Sequence, residues 1–455
     1  SGLLFEASLF VVLSQPPQGL TEKIGWDLEA NLLQAGLVKK TPHRPQPKNR
    51  YSILNAVCKY IPACLVSKLA RKHGCEKQAR TFSPWSHLVS LIYGQMTRAL
   101  SLNDICDGLQ NHPGKLATIR GATAPRRNTL SHANRTRDPA MAKELFWKIL
   151  DHCQSQSPGF GKRSRYSKLP KRFKCPVHAV DSTTIALVAN CMDWAKHRRR
   201  KAAAKCHLRL DMQDMLPRFA VVDTAKESDS KRAWEVCHGI KAGEIVVFDT
   251  LIIHELASED ITWITRAKGN MVYRVAKKRQ QPSAHGKVLR DDEIILKTPK
   301  SRTAYPERLR RVVARVIVND EEKIMVFITN NMKLAASSIC DLYKSRWAIE
   351  VFFKELKQCL QLCDFVGYNE RAVKWQIWVA FITYIILRYL AYLSKWQHSF
   401  TRLWTLIRGV LWSRLDLLAH FKAMGQPEDA FERLGSPNRP ISQDYAQHEW
   451  DSHAA

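Results

Sequence analysis

The hydrophobic period of the chain changes near Val177. Before that residue the apolar side chains recur every three to four positions, which is typical of amphipathic helices. After it they alternate, in runs rich in β-branched residues, which is typical of strands. We therefore expect a helical region followed by a mixed α/β region. Hydrophobic residues make up 45% of the 455 residues, so the chain can bury one or more cores and is not a disordered tail protein.

The charge of the chain indicates a polyanionic partner. There are 71 Lys and Arg against 42 Asp and Glu, a formal net charge of +29. Nucleic acid is the first candidate partner, and an anionic membrane surface is the second. The 12 cysteines are scattered and contain no CxxC pair, which favours free thiols in a reducing cytoplasm over disulfides or a zinc site.

Residues 1–50 are predicted to be an extension that ends in a linker. The stretch 41–50 is basic and rich in proline, as linkers are. Residues 3–13 are apolar but have no basic leader and no small-residue cleavage site, so we do not predict a signal peptide there. Because the first residue is Ser1 and not Met, we expect a fragment, a processed end or a translation artefact at this point.

Residues 51–155 are predicted to be a helical DNA-binding domain. Ser83 and Ser101 are suited to the N-caps of two helices, and a turn is expected at 112–114. A short basic helix within 125–138 carries Asn128 and Arg135. Its small polar and arginine side chains suit insertion into a DNA groove. They suit an ordinary solvated helix face equally well, so both interpretations stay open.

A basic linker over 156–175, suited to following a phosphate backbone, precedes a predicted catalytic domain over 176–365. Strands are expected at 177–188, 206–212, 218–224 and 244–250, with a helix near 230–238. Three antiparallel strands, a helix and a parallel strand form the opening of a ribonuclease H-like mixed sheet. A β-rich insertion over about 251–335 should add strands at 261–275, 311–318 and 323–329.

C-terminal helices are predicted over 366–425, followed by a polar tail over 426–455. The run 375–393 is almost wholly apolar but contains Arg388 and other polar residues. Its length is at the limit for a membrane span. We therefore expect it to be a helix buried beneath the sheet, and we expect no membrane partner.

Two acidic residues lie at the ends of predicted strands. Asp181 is near the end of an apolar strand, and Asp249 ends another. A carboxylate in such a place needs an ion or a partner. With a third carboxylate from a helix, the two would form an oxygen-rich site for Mg²⁺ or Mn²⁺, as metal-dependent phosphodiester chemistry requires.

The segment 343–357 supplies that third carboxylate. On a helix, Tyr343, Arg346, Glu350 and Lys357 share one face. A carboxylate between two cations fits a metal ligand beside phosphate-binding groups. An ordinary solvated face with ion pairs has the same spacing, so the spacing alone leaves both interpretations open.

The spacing Tyr-x2-Arg-x3-Glu-x6-Lys resembles the signature of bacterial DDE transposases of the insertion-sequence-four family. The words VDSTTI around Asp181, VVFD before Thr250, WITRAKGN at 263–270 and YKSRWAIE at 343–350 are similar to that family. So are FSPWSHLVSLIYGQ and SLNDICDGL before them, and LRYLAYLS and SFTRLWTLIR after them. The resemblance covers about 51–415.

The resemblance implies that Asp181, Asp249 and Glu350 form a catalytic triad with two Mg²⁺ or Mn²⁺ ions. It also implies that Arg346 and Lys357 contact phosphates at the transposon end. Tyr343 would form a hydrogen bond there or support the helix. Trp347 is either close to the distorted DNA end or a core aromatic residue.

Other residues remain alternatives for these roles. Relatives often have a basic or aromatic residue and then Gly after the second acid, where this chain has Thr250 and Leu251. Asp223 and Asp229 are therefore kept as further candidates for the second ligand. Lys205 and His207 either face DNA or are structural residues at the start of a strand, and the structural role is preferred.

We therefore predict a cytoplasmic insertion-sequence transposase that binds the terminal inverted repeats of its element and inserts the cut ends into target DNA. It would act by metal-dependent cleavage and strand transfer, in a cut-and-paste route, as a homodimer on paired ends. A ribonuclease H-like nuclease without strand transfer is one alternative. A catalytically inactive or repurposed DNA-binding relative is the other.

Overall fold

A computed structural model describes residues 50–77, 79–187, 191, 195–198, 201–224, 229–249, 254–280, 286–318, 321–360 and 365–424. The predicted extension before residue 50 and the predicted tail from 426 lie outside these ranges. The helices in the first part of the chain are α1 Ile53–Cys58, α2 Ala63–Lys72, α3 Pro84–Thr97, α4 Leu102–Gln110, α5 Pro113–Ala117, α6 Arg127–Thr136 and α7 Ala140–Gln156. Those that follow are α8 Asp229–Cys237, α9 His254–Ser258, α10 Pro299–Ala304, α11 Ala336–Ser345, α12 Trp347–Cys359, α13 Glu370–Leu393, α14 Phe400–Gly409 and α15 Leu417–Met424.

Ten strands of the described residues form one mixed sheet. They are β1 Val177–Leu187, β2 Lys196–Arg198, β3 Lys201–Asp211, β4 Pro217–Thr224, β5 Ile245–Val247, β6 Thr262–Arg266, β7 Tyr273–Gln280, β8 Val288–Leu296, β9 Leu309–Val318 and β10 Glu321–Thr329. The order is β2-β3-β1-β5-β6-β10-β9-β8-β7, and β4 also pairs with β3. Strand β5 is parallel to β1 and β6, and the other pairs are antiparallel. The predicted mixed α/β class is therefore confirmed.

Helix capping in the first part of the chain follows the sequence signals. Ser83 accepts a hydrogen bond from the backbone of Ser86 and begins α3. Ser101 and Asp104 form a reciprocal capping box at the start of α4. The turn predicted at 112–114 is wrong in part, because Pro113 begins the short helix α5. Proline suits the first position of a helix, where no N–H is needed.

The apolar run 375–393 lies within α13, whose residues are buried almost throughout. This helix is long and apolar enough to cross a membrane, and 89% of its most apolar window is buried inside the structure. The predicted burial is confirmed. The main neighbours of α13 are the helices α3, α6, α7, α12 and α14. Its residues belong to the core that also contains residues of the sheet, and a place directly beneath the sheet stays a prediction.

The basic stretch before β1 is docked by its own side chains. Arg165 donates hydrogen bonds to the backbone carbonyls of Trp396 at 2.8 Å and Gln397 at 3.1 Å. Arg172 forms an ion pair with Asp341. These two arginines therefore hold the stretch against later parts of the chain. A phosphate-following role for its other cations stays a prediction.

Two apolar cores cover the two faces of the sheet. The larger core joins the helices of the first part of the chain to α12, α13 and one face of the sheet. The smaller core lies on the opposite face and contains Val236 of α8, Phe248 and Trp263. Helix α12 packs against β1 within the larger core, so side chains of α12 can reach the ends of the central strands. Every cysteine in the described ranges is a free thiol, as predicted.

Candidate active site

The parallel pairing of β1 and β5 brings two of the predicted acids to one level of the sheet. Ala179 on β1 is in register with Val247 on β5. Asp181 and Asp249 each follow that pair by two residues. Because parallel strands advance together, the two carboxylates lie at the same height, with Asp181 inside β1 and Asp249 just beyond the end of β5. The apolar residues before each acid fix this position, since they bury the strands on both faces.

The third acid comes from a junction between two helices. Helix α11 ends at Ser345 and α12 begins at Trp347, with Arg346 between them. Glu350 lies in the first turn of α12. The opposite side of α12 is held in the core by Ile349, Phe352 and Leu356, which are fully buried. This packing directs the polar side of the helix toward the ends of the central strands.

Arg346 joins two of the three carboxylates. One Nη of its guanidinium lies 3.0 Å from Oδ2 of Asp181, and the other contacts Oε1 of Glu350. The arginine side chain is 14% exposed. Burial alone would lower the pKa of Arg346, but Asp181 and Glu350 raise it above its ordinary value. Arg346 therefore stays cationic and neutralises two acids that are 165 and four residues away in the sequence.

Asp249 is held by Tyr343 and by a residue that the sequence analysis missed. The hydroxyl of Tyr343 donates to Oδ1 of Asp249 at 2.9 Å. Arg266, at the end of β6, approaches the same carboxylate with Nε at 3.2 Å and Nη2 at 3.3 Å. Burial and the nearby Asp249 raise the pKa of Tyr343 to about 12, so its hydroxyl keeps its proton and donates. The sequence carries no signal for this role of Arg266, because its contact depends on the pairing of β6 with β5.

The acids influence one another electrostatically. Burial raises the pKa of Glu350 above its ordinary value, and the negative charges of Asp181 and Asp249 raise it further, while Arg346 opposes the shift. A site that gathers three carboxylates in this way favours the presence of a cation. The three predicted catalytic acids thus lie in one neighbourhood, which Arg346, Tyr343 and Arg266 hold together.

The donor set fits a hard divalent cation, since carboxylate oxygens are the ligands that Mg²⁺ and Mn²⁺ prefer. The described ranges contain no group of three or more His, Cys, Asp or Glu side chains arranged closely enough to hold a metal ion. The guanidinium of Arg346 contacts two of the carboxylates, those of Asp181 and Glu350. The chemistry therefore fits a metal site, and the two-ion arrangement stays a prediction.

Helix α12 also carries Trp347, which follows the signature residue Arg346, and the signature residue Lys357. Trp347 is 51% exposed, so the interpretation of this residue as a core aromatic is wrong. Lys357 lies two helical turns after Glu350 and is partly buried. Its charge acts on the thiol of Cys206 on β3. The four signature residues therefore follow one side of the α11–α12 junction, although two helices and not one carry them.

The alternative acids lie elsewhere. Asp223 is on β4, where it faces Lys205 of β3 in the register and forms an ion pair with Arg232 at 2.6 Å. Strands β3 and β1 separate β4 from β5, the strand that precedes Asp249. The side chain of Asp229 is outside the described residues. His207 is buried, at 3% exposure, which favours its structural interpretation.

The basic helix predicted within 125–138 is α6. Asn128 and Arg135 are both exposed on it. A cleft of about 620 Å³ lies on one side, lined by Arg127 and Ser131 among others. A second cleft of about 280 Å³ includes His132 and Thr136. Helix α6 is therefore a ridge with a groove on each side.

The sequence of this chain is similar to families and proteins already described. Residues 173–386, a little under half of the chain, match the family described as "Transposase DDE domain". Residues 49–119 match a domain of unknown function, DUF4372.

Three relatives carry transposase names. The y4zB protein of Sinorhizobium fredii, named a transposase, is 28% identical over 65% of this chain and 80% of its own length. A Geobacillus stearothermophilus protein named as the transposase for insertion sequence element IS5377 is 28% identical over 56% and 67%. A Synechocystis protein named as the transposase for insertion sequence element IS4SA is 23% identical over 61% and 75%.

A cryo-EM structure of the piggyBac transposase synaptic complex with hairpin DNA covers 88% of this chain and 89% of its own. Its TM-score is 0.40 at 10% sequence identity, which is too low to identify a shared fold. The family match and the acidic site together define the class: the chain is a DNA-cleaving and strand-transferring enzyme with a transposase DDE domain. More narrowly, the relatives that it resembles in sequence are named as transposases, two of them of insertion sequence elements.

Proposed function

We propose that this transposase binds the terminal inverted repeats of a bacterial insertion sequence, cuts at them, and joins the freed ends to target DNA by a cut-and-paste route. The observation that carries the proposal is the contact of one guanidinium, that of Arg346, with both Asp181 and Glu350. Acids from a strand and a helix so far apart in sequence meet only if the fold assembles a site there. That site lies inside the matched DDE domain.

The proposed catalytic domain, 176–365, is ribonuclease H-like. The antiparallel set β1, β3 and β4, followed by α8 and the parallel strand β5, supports this arrangement. The strands β7 to β10 form most of the insertion proposed over about 251–335. The other proposed parts of the chain are the helical DNA-binding domain at 51–155, the basic linker at 156–175, the C-terminal helices at 366–425 and the polar tail at 426–455.

The proposed reading of the transposon ends uses the helical region 51–155. Helix α6 presents exposed Asn128 and Arg135 on a ridge between two clefts, which supports its insertion into a major groove. Long polar side chains on such a ridge can contact base edges or phosphates.

In the proposed active site Asp181, Asp249 and Glu350 hold divalent cations, Mg²⁺ or Mn²⁺, two in each site. Divalent cations held there would supply the Lewis-acid chemistry that phosphodiester cleavage requires, by activating an attacking oxygen and stabilising a leaving one. Tyr343 orients Asp249 through its hydrogen bond, and Arg266 does so through its two contacts. No protein nucleophile takes part, so no covalent protein–DNA bond forms.

The proposed phosphate contacts come from the signature helix pair. Arg346 and Lys357 are cations beside the acids, and Arg346 has the planar fork that suits a phosphate oxygen pair. Exposed Trp347, next to Arg346, can stack against distorted DNA at the cut end. The enzyme works in the cytoplasm. It acts as a homodimer, because the two ends of the transposon must be cut and joined together.

The test is substitution of each acid in the full-length chain. Asp181→Asn, Asp249→Asn and Glu350→Gln should each lower the cleavage of a duplex carrying the element's end by at least ~1,000-fold, because each removes one ionised ligand of the cations. Affinity for that duplex should change by less than about threefold. Gel-based cleavage and fluorescence anisotropy measure the two quantities.

Asp223→Asn is the matched control, since it makes the same chemical change in the same sheet but away from Arg346. It should cleave at the wild-type rate once folding is verified by circular dichroism. Normal cleavage by Asp181→Asn or Glu350→Gln contradicts the site. Cleavage without end joining, in a paired-end assay on the wild type, identifies a nuclease instead of a transposase.

A further inference from the structure

Strand β7 is the terminal strand of the sheet and pairs only with β8 among the described strands. Every residue from Arg274 to Arg279 is exposed. Its sequence, YRVAKKRQ, carries four cations and no acid. An edge strand that is exposed on both faces and this basic is either a device against strand pairing or a binding surface for a polyanion.

The acids of the neighbouring strand β8 do not neutralise the positive charge of β7. In the register, Lys277 faces Glu293 and Lys278 faces Asp292. Glu293, however, is paired with Arg279 at 3.1 Å and Arg308 at 3.3 Å.

Other arginines take the remaining acids of β8. Asp292 is paired with Arg311 at 3.1 Å, and Asp291 forms a buried bidentate pair with Arg310. Within the described part of the chain, Arg274, Lys277 and Lys278 have no acidic partner. We call these three residues the β7 cations.

The spacing of the β7 cations suits a nucleic-acid backbone. Arg274 faces Ile295 and Lys277 faces Glu293, two residues apart on β8, so the register shift between them leaves both cations on one face. From Arg274 to Lys278 the strand advances by about 13 Å. Along that distance one strand of duplex DNA carries about four phosphates.

The strand is also fixed relative to the acidic site at both of its ends. Seven residues before Tyr273, the preceding strand β6 ends at Arg266, which contacts Asp249. Near its other end, Arg279 donates to the carbonyl of Met332 at 2.7 Å, in the loop that leads to α11 and Tyr343. A duplex that lies on the β7 cations is therefore held by the two segments that also hold the catalytic Asp249.

We propose that the β7 cations form a second DNA-binding surface, separate from α6, which binds the phosphate backbone of duplex DNA without sequence preference. The proposal rests on the proposed function for its biological role. The bound partner is DNA and not a second copy of the chain, because lysines on both faces of an edge strand oppose pairing with another strand. Contacts with phosphates alone carry no sequence information, so the surface adds affinity for any duplex.

The experiment measures the salt dependence of binding to a duplex of unrelated sequence, with the full-length triple variant Arg274→Gln, Lys277→Gln, Lys278→Gln. Each lost phosphate contact lowers the slope of log K against log salt by about 0.9, so the variant should lose roughly 2 to 3 units of slope. The variant Arg274→Lys, Lys277→Arg, Lys278→Arg keeps the charge and should keep the slope. Circular dichroism melting should be the same for all three proteins, because the side chains are exposed.

An unchanged slope in the neutral variant overturns the proposal. So does a shift in oligomeric state by light scattering without a change of slope, which would make the strand an interface between copies. The measurement needs no cleavage and no inverted repeat. It therefore keeps its meaning if the enzyme proves not to cut its ends, and Asp181→Asn should have the wild-type slope.

Discussion

At the scale of single residues, the candidate site depends on donors placed around acids. Arg346 contacts Asp181 and Glu350, while Tyr343 and Arg266 contact Asp249. The three acids could be predicted because each stands out in the sequence, two in or just after apolar strand-like runs and one in a spaced signature. The predicted place of Asp181 near a strand end is wrong, because β1 continues to Leu187 through its pairing with β3. Arg266 could not be assigned a role, since its contact arises from the pairing of β6 with β5 and not from its own spacing.

The hydroxyl of Tyr343 gives the first prediction at this scale. Tyr343→Phe removes the 2.9 Å hydrogen bond to Asp249 but keeps the ring, which packs against Phe327 at 4.7 Å between centroids. A hydrogen bond to a charged group contributes about 1.5–3 kcal/mol. We therefore expect end cleavage to slow by about 10- to 100-fold in single-turnover assays, with unchanged affinity for the end duplex.

Tyr389→Phe is the control for this prediction. It removes a hydroxyl that lies 2.9 Å from Ser157, in the helical core, and should leave the cleavage rate unchanged. If Tyr343→Phe weakens DNA binding and not the cleavage step, then its hydroxyl contacts DNA and does not orient Asp249.

At the scale of elements, the alternating runs predicted the central strands well. Strands β1, β4, β9 and β10 and helix α8 overlap the predicted ranges. The predicted strand at 261–275 is two strands, β6 and β7, separated by the exposed segment 267–272. Strand β8 was missed, because its acids Asp291, Asp292 and Glu293 are consecutive. Their pairing with arginines of β7 and β9, and with Arg308 just before β9, makes them tolerable in a sheet, and the sequence does not reveal that pairing.

The signature segment was predicted as one helix, whereas Arg346 separates α11 from α12. Arg346 itself keeps helical dihedral angles, so the change of direction is local. The periodicity of 343–357 does not reveal such a junction, because all its residues remain helical. The result places Arg346 at the end of one helix and the start of the other, where it reaches both Asp181 and Glu350.

The buried pair Glu355–Arg388 fixes α12 against α13, and this gives the prediction at the scale of elements. Arg388 donates to Glu355 at 2.6 Å and to the hydroxyl of Tyr384 at 2.7 Å. Arg388→Met leaves a buried carboxylate without its cation and should lower the free energy of unfolding by about 3–5 kcal/mol. The double variant Arg388→Met, Glu355→Gln should recover a large part of that loss. Urea unfolding followed by circular dichroism measures both.

Lys374 and Glu370 provide the comparison on the same helix, as a partly exposed pair one turn apart. Their double variant, Lys374→Met with Glu370→Gln, should change the stability by less than about 1 kcal/mol. If the variant Arg388→Met, Glu355→Gln is as unstable as Arg388→Met alone, then stacking of the arginine against Tyr166 and Phe400 contributes more to stability than the ion pair does.

At the scale of the whole molecule, one large core joins the helical region to the sheet. The sequence predicted the two regions from their periods but not this shared core, since the residues that meet in it are far apart. Burial also changes the pKa of an acid at the turn between β3 and β4. There Asp211 and Asp214 lie together, both paired with Arg218.

Asp214 gives a prediction for stability against pH. Burial, and then the charge of Asp211, raise the pKa of Asp214 from 3.8 to about 8, although Arg218 opposes the shift. The folded chain then binds this proton more tightly than the unfolded chain. Its stability should therefore fall as the pH rises from about 4 to about 8, by up to ~1.4 kcal/mol per pH unit from this group. Asp214→Asn should flatten that fall, as measured by chemical unfolding across the range.

Asp341 supplies a control of opposite sign. Burial opposes the shift, but Lys287 and Arg172 lower the pKa of Asp341 below its ordinary value. Its ion pairs therefore contribute stability above its unfolded pKa, near 4, and this contribution is lost as the pH falls through the folded pKa. Asp341→Asn should be less stable than the wild type at pH 7 and should approach it near pH 2. If Asp214→Asn and the wild type keep parallel curves between pH 4 and 8, then Arg218 keeps Asp214 ionised, and the pH dependence of the fold comes from other groups.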